Sequence, residues 1–111
     1  MRDRQELKHR LDEIFSGERP RLCLACGKPF AAFDMHEGIV TRRDAQGWKP
    51  TQRQMIMTEL NCIPLHHGCH LDNPPSRDLV WEYQKGYYGT SILLEWYEGL
   101  PWKSGKPPRN F

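Results

Sequence analysis

The sequence has no long hydrophobic run. Nothing in it approaches the roughly 20 consecutive apolar residues that a membrane-spanning helix needs, which argues against a helical membrane protein; no membrane partner is expected. No apolar segment follows Met1: the next residues are Arg2, Asp3, Arg4, Gln5 and Glu6, which predicts no secretory signal and a cytoplasmic location. Charge of one sign is also scarce. The formal net charge is +2, too mild to mark a nucleic-acid binder by itself. No internal repeat is evident. Apolar residues make up only 38% against 27% charged, enough for one domain with a modest core. A structural metal would offset that shortage in a chain of 111 residues. Cysteine is limited to four, and without a secretory signal these point to a reducing compartment, where metal binding is favoured over disulfides.

What is there is concentrated in one stretch, Asn61-Cys62-Ile63-Pro64-Leu65-His66-His67-Gly68-Cys69-His70. It holds one amide, three imidazoles and two thiols around a short apolar run. Upstream lies Cys23-Leu24-Ala25-Cys26. The two together give Cys-x2-Cys, thirty-nine residues, then His66-x2-Cys69, a spacing that brings four N/S ligands to a tetrahedral zinc ion from two knuckles. Gly27, directly after the second Cys, suits the tight turn of such a knuckle. Alone, Cys-x2-Cys also fits a redox pair, but no βαβ pattern surrounds it. His67 in place of His66, and Cys62 in an all-cysteine site, are the alternative ligand sets. Otherwise His67 is a surface or DNA-facing group and Cys62 a small buried hydrophobe.

The rest of the chain reads as supporting structure. Leu7, Leu11, Ile14 and Phe15 share one stripe of an amphipathic helix over 2–16, with Gly17 as its C-cap. Residues 30–43 read as a strand, on which Asp34 and His36 share one face while Met35 and Glu37 point to the other; Gly38 marks a possible bulge. Residues 44–54 read as a polar loop and 55–65 as a second strand entering the second knuckle. A helix is expected from near His70 or after Pro74-Pro75, where Ser76 is a fair N-cap and Leu79, Val80, Tyr83 and Tyr87 its apolar stripe. Gly86 and Gly89 end it. A last helix from Thr90 or Ser91 turns Ile92, Leu93, Trp96 and Tyr97 inward, and 104–111 reads as a disordered tail.

Strand, loop, strand and helix, stapled by zinc, resemble the ββα-metal (His-Me finger) fold of HNH endonucleases. In that family the second knuckle reads Asn, four residues, Cys-x2-Cys-His. Here Asn61, four residues, then His66-x2-Cys69-His70 keeps every offset, with His66 replacing the first Cys. The resemblance covers 21–75. It implies an α+β fold: one HNH domain over 1–103, with a zinc-stapled core at 21–75, an N-terminal helix and C-terminal helices over 76–99. It implies a metal-dependent endonuclease hydrolysing DNA phosphodiester bonds, like the small stand-alone HNH proteins of phages and mobile elements. Zinc on Cys23, Cys26, His66 and Cys69 would be structural, and Mg²⁺ or Mn²⁺ catalytic.

The resemblance also implies roles. His36 polarises the attacking water, Asn61 bonds the backbone across the loop and holds the His in place, and His70 is a ligand of the catalytic ion, which stabilises the leaving oxygen. The family usually shows Asp-His or His-His as neighbours, whereas this chain has Asp34-Met35-His36-Glu37. Two registrations are therefore open. With His36 as base, Asp34 or Glu37 helps to hold the catalytic metal with His70; with His36 as ligand, Glu37 stands at the base position. Arg42, Arg43, Lys49 and Arg53 flank the proposed site as DNA contacts, beside the reading that they form a solvated face. A homodimer or a protein partner would add to the affinity of so mildly basic a chain. The rival reading is a non-catalytic zinc module that binds nucleic acid or protein and makes no use of His36 and His70.

Overall fold

The computed structural model describes residues 3–103, 105–109 and 111. Its first element, α1 (Arg4–Ile14), is nucleated by Asp3, whose side chain accepts from the Glu6 backbone N–H at 2.8 Å. Leu7, Leu11 and Ile14 are buried along one stripe, and Phe15 just past the end joins them. Burying each such side chain contributes about 1.5–3 kcal/mol. The helix is shorter than 2–16 at its end: Phe15 is the C-cap and Gly17 lies beyond it in the following turn. Arg2 lies outside the described residues. Arg19, four residues past the C-cap, is buried. Its guanidinium sits 4.8 Å from the Phe15 ring and 4.3 Å from the Tyr83 ring, and donates to Gln84 at 2.7 Å, so it ties the end of α1 to a later helix.

The sheet is a two-stranded antiparallel hairpin, β1 (Asp34–Glu37) on β2 (Cys62–Leu65), in the register Asp34↔Leu65, Met35↔Pro64, His36↔Ile63 and Glu37↔Cys62. Both strands are much shorter than the sequence pattern predicts. The reason is Asn61, fully buried in the connection. Its Oδ1 accepts from the N–H groups of Ile39 (3.1 Å) and Val40 (2.8 Å), and its Nδ2 donates to the carbonyls of Val40 (2.8 Å) and Ile56 (3.0 Å). Those backbone groups are thereby lost to any longer ladder. Gly38 ends β1 rather than bulging it. A Cβ there would meet Val80 Cγ1 at 2.6 Å, so the missing side chain lets the strand end press against a helix. Between the strands the chain forms a short helix α2 (Pro50–Arg53) and a 3-10 turn (Gln54–Ile56), where the sequence suggests loop and then strand.

Three helices follow: α3 (His67–Asp72), α4 (Arg77–Tyr88) and α5 (Thr90–Glu98). Ser76 caps α4, its Oγ accepting from Leu79 N–H at 3.2 Å. The buried face of α4 is not the expected stripe: Val80, Trp81 and Gln84 are buried, while Leu79 is 47% exposed and Tyr87 partly so. Gln84 decides this. Its Nε2 donates to the carbonyls of Glu59 (2.8 Å) and Leu60 (3.0 Å) and its Oε1 receives Arg19, so α4 is bolted to the entry of β2 by a fully paired buried amide. Gly86 stays inside α4, and Gly89, at φ 91°, ends it. On α5, Leu93 and Tyr97 turn inward as the pattern suggests; Ile92 is 54% exposed and Trp96 half-buried, its indole N–H donating to Met55 O. The segment expected as a disordered tail makes contacts where it is described. Phe111 stacks on Trp81 with ring centroids 4.4 Å apart, and Arg109 pairs with Asp78 at 2.8 Å. Among the described residues no helix is long and apolar enough to cross a membrane.

Candidate metal centre

The first knuckle is a tight turn between Leu22 and Pro29, which bridge each other. Cys23 N–H donates to Lys28 O (2.9 Å) and Gly27 N–H to Cys23 O (2.7 Å). Gly27 sits at φ 75°, a conformation that favours glycine, so both thiols turn to one side. The second knuckle is the junction of β2 with α3. His66 is the N-cap of α3 and Cys69 lies in its first turn. Antiparallel pairing of β1 with β2 brings this junction beside the first knuckle.

The donor atoms of Cys23, Cys26, His66 and Cys69 all lie within 4.8 Å of one another, and His66 Nδ1 is 3.3 Å from Cys26 Sγ. Tetrahedral zinc with bonds of about 2.0–2.3 Å holds its donors roughly 3.3–3.8 Å apart, so this group fits a zinc-like ion with slight contraction. The other His66 nitrogen, Nε2, lies 2.9 Å from Pro29 O. Donation from Nε2–H to that carbonyl leaves the Nδ1 lone pair facing the thiols, the arrangement that orients a metal-bound imidazole. Burial opposes ionisation of Cys23, but hydrogen bonds from the His66, Cys26 and Ala25 backbones, joined by the His66 ring when both its nitrogens carry protons in the ion-free site, outweigh it and bring the thiol down to about 6. Cys69 goes the other way, pushed up to about 11 by burial and by its hydrogen bonds to Cys26 and Cys23. Without a cation Cys23 ionises readily and Cys69 resists ionisation; a bound cation removes that resistance.

The two alternative zinc ligands lie elsewhere. Cys62 is buried against Ile56 O at 3.8 Å, and burial pushes its thiol up to about 12. His67 turns its Nδ1 to Asp34 Oδ2 at 2.7 Å.

A second polar group stands next to the knuckles. His70, one turn into α3, also faces Asp34, its Nδ1 3.1 Å from the same Oδ2. The His36 ring lies edge-on to His70 with centroids 5.2 Å apart. Strand alternation accounts for this: Asp34 and His36 point to the α3 side of β1, Met35 and Glu37 to the other. Hydrogen bonds from His70 and His67 hold the Asp34 carboxyl below its usual range. Burial, helped by the neighbouring His70, lowers His36 to about 4, so it is neutral at neutral pH. Glu37 does not join this group; it pairs with Arg42 Nε at 3.1 Å. His67 joins it unforeseen. The signal for it was present, since His67 and His70 are three residues apart on one helix.

Asn61 spans the loop between the strands with the four bonds given above, and its own carbonyl accepts from Gly38 N–H at 2.9 Å. The four basic residues expected to contact DNA do not share one cleft. Arg42 and Arg53 line one, and Arg43 lines another beside Trp48 and Trp102. Lys49 is the N-cap residue of α2.

The fold and this site define a small α+β protein whose Cys₃His group is positioned to take a zinc-like ion. No known family model, curated protein or solved structure matches the chain.

Proposed function

We propose that the chain is a metal-dependent endonuclease of the HNH type, acting on DNA, with a ββα-metal core stapled by a structural zinc ion. The observation that carries this reading is the convergence of Asp34, His36 and His70 on one side of a hairpin–helix unit whose loop is locked by Asn61. Asp34 Oδ2 and His70 Nδ1, 3.1 Å apart, suit two adjacent ligands of an octahedral cation, which at bonds of about 2.1 Å lie roughly 3 Å apart. When bound, a divalent ion there supplies charge neutralisation at the scissile phosphate and stabilises the leaving oxygen.

The chain's own groups do the rest. His36, beside the Asp34–His70 pair, accepts a proton from the attacking water; burial leaves the ring unprotonated at neutral pH while making it a weaker base than a free imidazole. Glu37 is left out of this role because its carboxylate faces Arg42 on the other side of the strand. Asn61 fixes the backbone of Ile39 and Val40 and so the strand end that carries His36. The DNA strand would be the partner, approached over α3.

The test is nicking of supercoiled plasmid with Mg²⁺ or Mn²⁺. Wild type converts it to open circles, and His36→Ala loses about 10²-fold or more of the rate while keeping about one zinc per chain. Undiminished nicking by His36→Ala would remove it as base. A wild-type protein inert with both ions, on single-stranded and nicked DNA as well, would leave a non-catalytic zinc module.

A further inference from the structure

Beyond the Glu37–Cys62 end of the hairpin lies a cleft between the start of α1 and the segment running from α2 to Met57. Arg42 reaches it from the Glu37 side of β1, the side turned away from His36. Arg4 enters from the first turn of α1 and Arg53 from the last turn of α2, while Ile56 and Met57 supply apolar lining.

The charge in this cleft is only partly compensated. Asp3 lines it too, capping α1 with its carboxylate 2.8 Å from Glu6 N–H, and offsets one positive charge. Glu37 is taken by Arg42. Arg4 and Arg53 have no carboxylate partner among the described residues, whereas Arg10, Arg21, Arg77 and Arg109 each reach one. In a chain whose net charge is only +2, two unpaired guanidiniums brought to one cleft by elements some forty-nine positions apart make a local anion site (Arg4 to Arg53). The apolar lining beside them suits the sugar of a nucleic-acid strand better than a bare hydrated anion.

We infer that this cleft is a second nucleic-acid contact, in which Arg4 and Arg53 hold a backbone phosphate of the DNA other than the scissile one. The inference rests on the DNA reading above and sharpens it. Arg43 and Lys49 drop out, Arg4 enters, and the DNA is held at a second place besides the cleft beside α3.

The test is fluorescence anisotropy with a labelled DNA duplex and no added divalent ion, so that cleavage plays no part. The variant is Arg4→Ala/Arg53→Ala, both exposed positions, with zinc content and thermal melt as the check on folding. Wild type should bind with an affinity that falls with salt. The variant should bind at least about 10-fold more weakly, with a log–log salt slope shallower by roughly 1–2. A wild-type protein with no salt-dependent binding, or a variant with unchanged affinity and slope, overturns the inference. So does displacement of the duplex by micromolar pyrophosphate at matched ionic strength, which would give the cleft to a free phosphate ligand. Plasmid nicking is read separately, so failure of the cleft and failure of the nuclease reading give different results.

Discussion

Asn61 and His36 carry most of the consequence at the scale of single residues. Asn61 is buried and uses its whole hydrogen-bonding capacity on the backbone of residues 39, 40 and 56. Asn61→Ala would strand buried N–H and C=O groups, each costing about 1–3 kcal/mol, so a total loss of roughly 2–5 kcal/mol is expected in urea unfolding. A loss under about 0.5 kcal/mol, the level of an ordinary surface substitution, would contradict this role. His36 is held near 4 in the folded protein against an ordinary 6.5. The unfolded chain therefore binds the extra proton first. The contribution of His36 is full above about 6.5 and is lost as pH falls toward 4. His36→Gln should flatten the fall in stability across that window, and the comparison with wild type separates His36 from acid-driven loss of metal. Equal slopes for the two proteins would mean that His36 is not held neutral by the fold. The spacing of the knuckles made Cys23, Cys26, His66 and Cys69 legible from sequence, because ligand spacing is a local property of two turns. Whether Asp34 or Glu37 faces His70 depended on where β1 pairs, which only the register settles.

Among the elements, β1 and α4 show where periodicity stops being informative. The stripe on α1 was readable because only apolar residues compete for its buried side. On α4 a buried glutamine turns the helix so that Gln84 meets Arg19 and the 59–60 carbonyls, and no hydrophobic pattern reports that. The strand lengths escaped for a related reason: one side chain, Asn61, takes the backbone bonds that a longer ladder would need. Gly38 ties the two elements together, since its missing Cβ is the space that Val80 occupies. Gly38→Ala is expected to cost about 1–3 kcal/mol by overpacking, and Val80→Ala in the same chain to recover part of it. Strict additivity of the two losses in a double-mutant cycle would show that strand end and helix do not press on each other.

For the whole molecule, the zinc-like group joins the first knuckle to the β2–α3 junction across about forty residues of chain. A modest core makes that join important, and metal affinity becomes folding free energy. Cys26→Ser should lower the circular-dichroism melting temperature well below that of wild type and abolish stoichiometric zinc; an unchanged melt would mean that the ion is incidental. The same junction sets His70 beside Asp34 and His36, so the structural ion and the proposed catalytic cleft share α3. Their most direct joint test is a crystal structure of the zinc-loaded protein soaked in Mn²⁺, with anomalous data at both metal edges. Zinc is expected on Cys23, Cys26, His66 and Cys69, and manganese on Asp34 and His70 with His36 facing it. Manganese absent from that cleft, or a zinc ion held by other side chains, would contradict it.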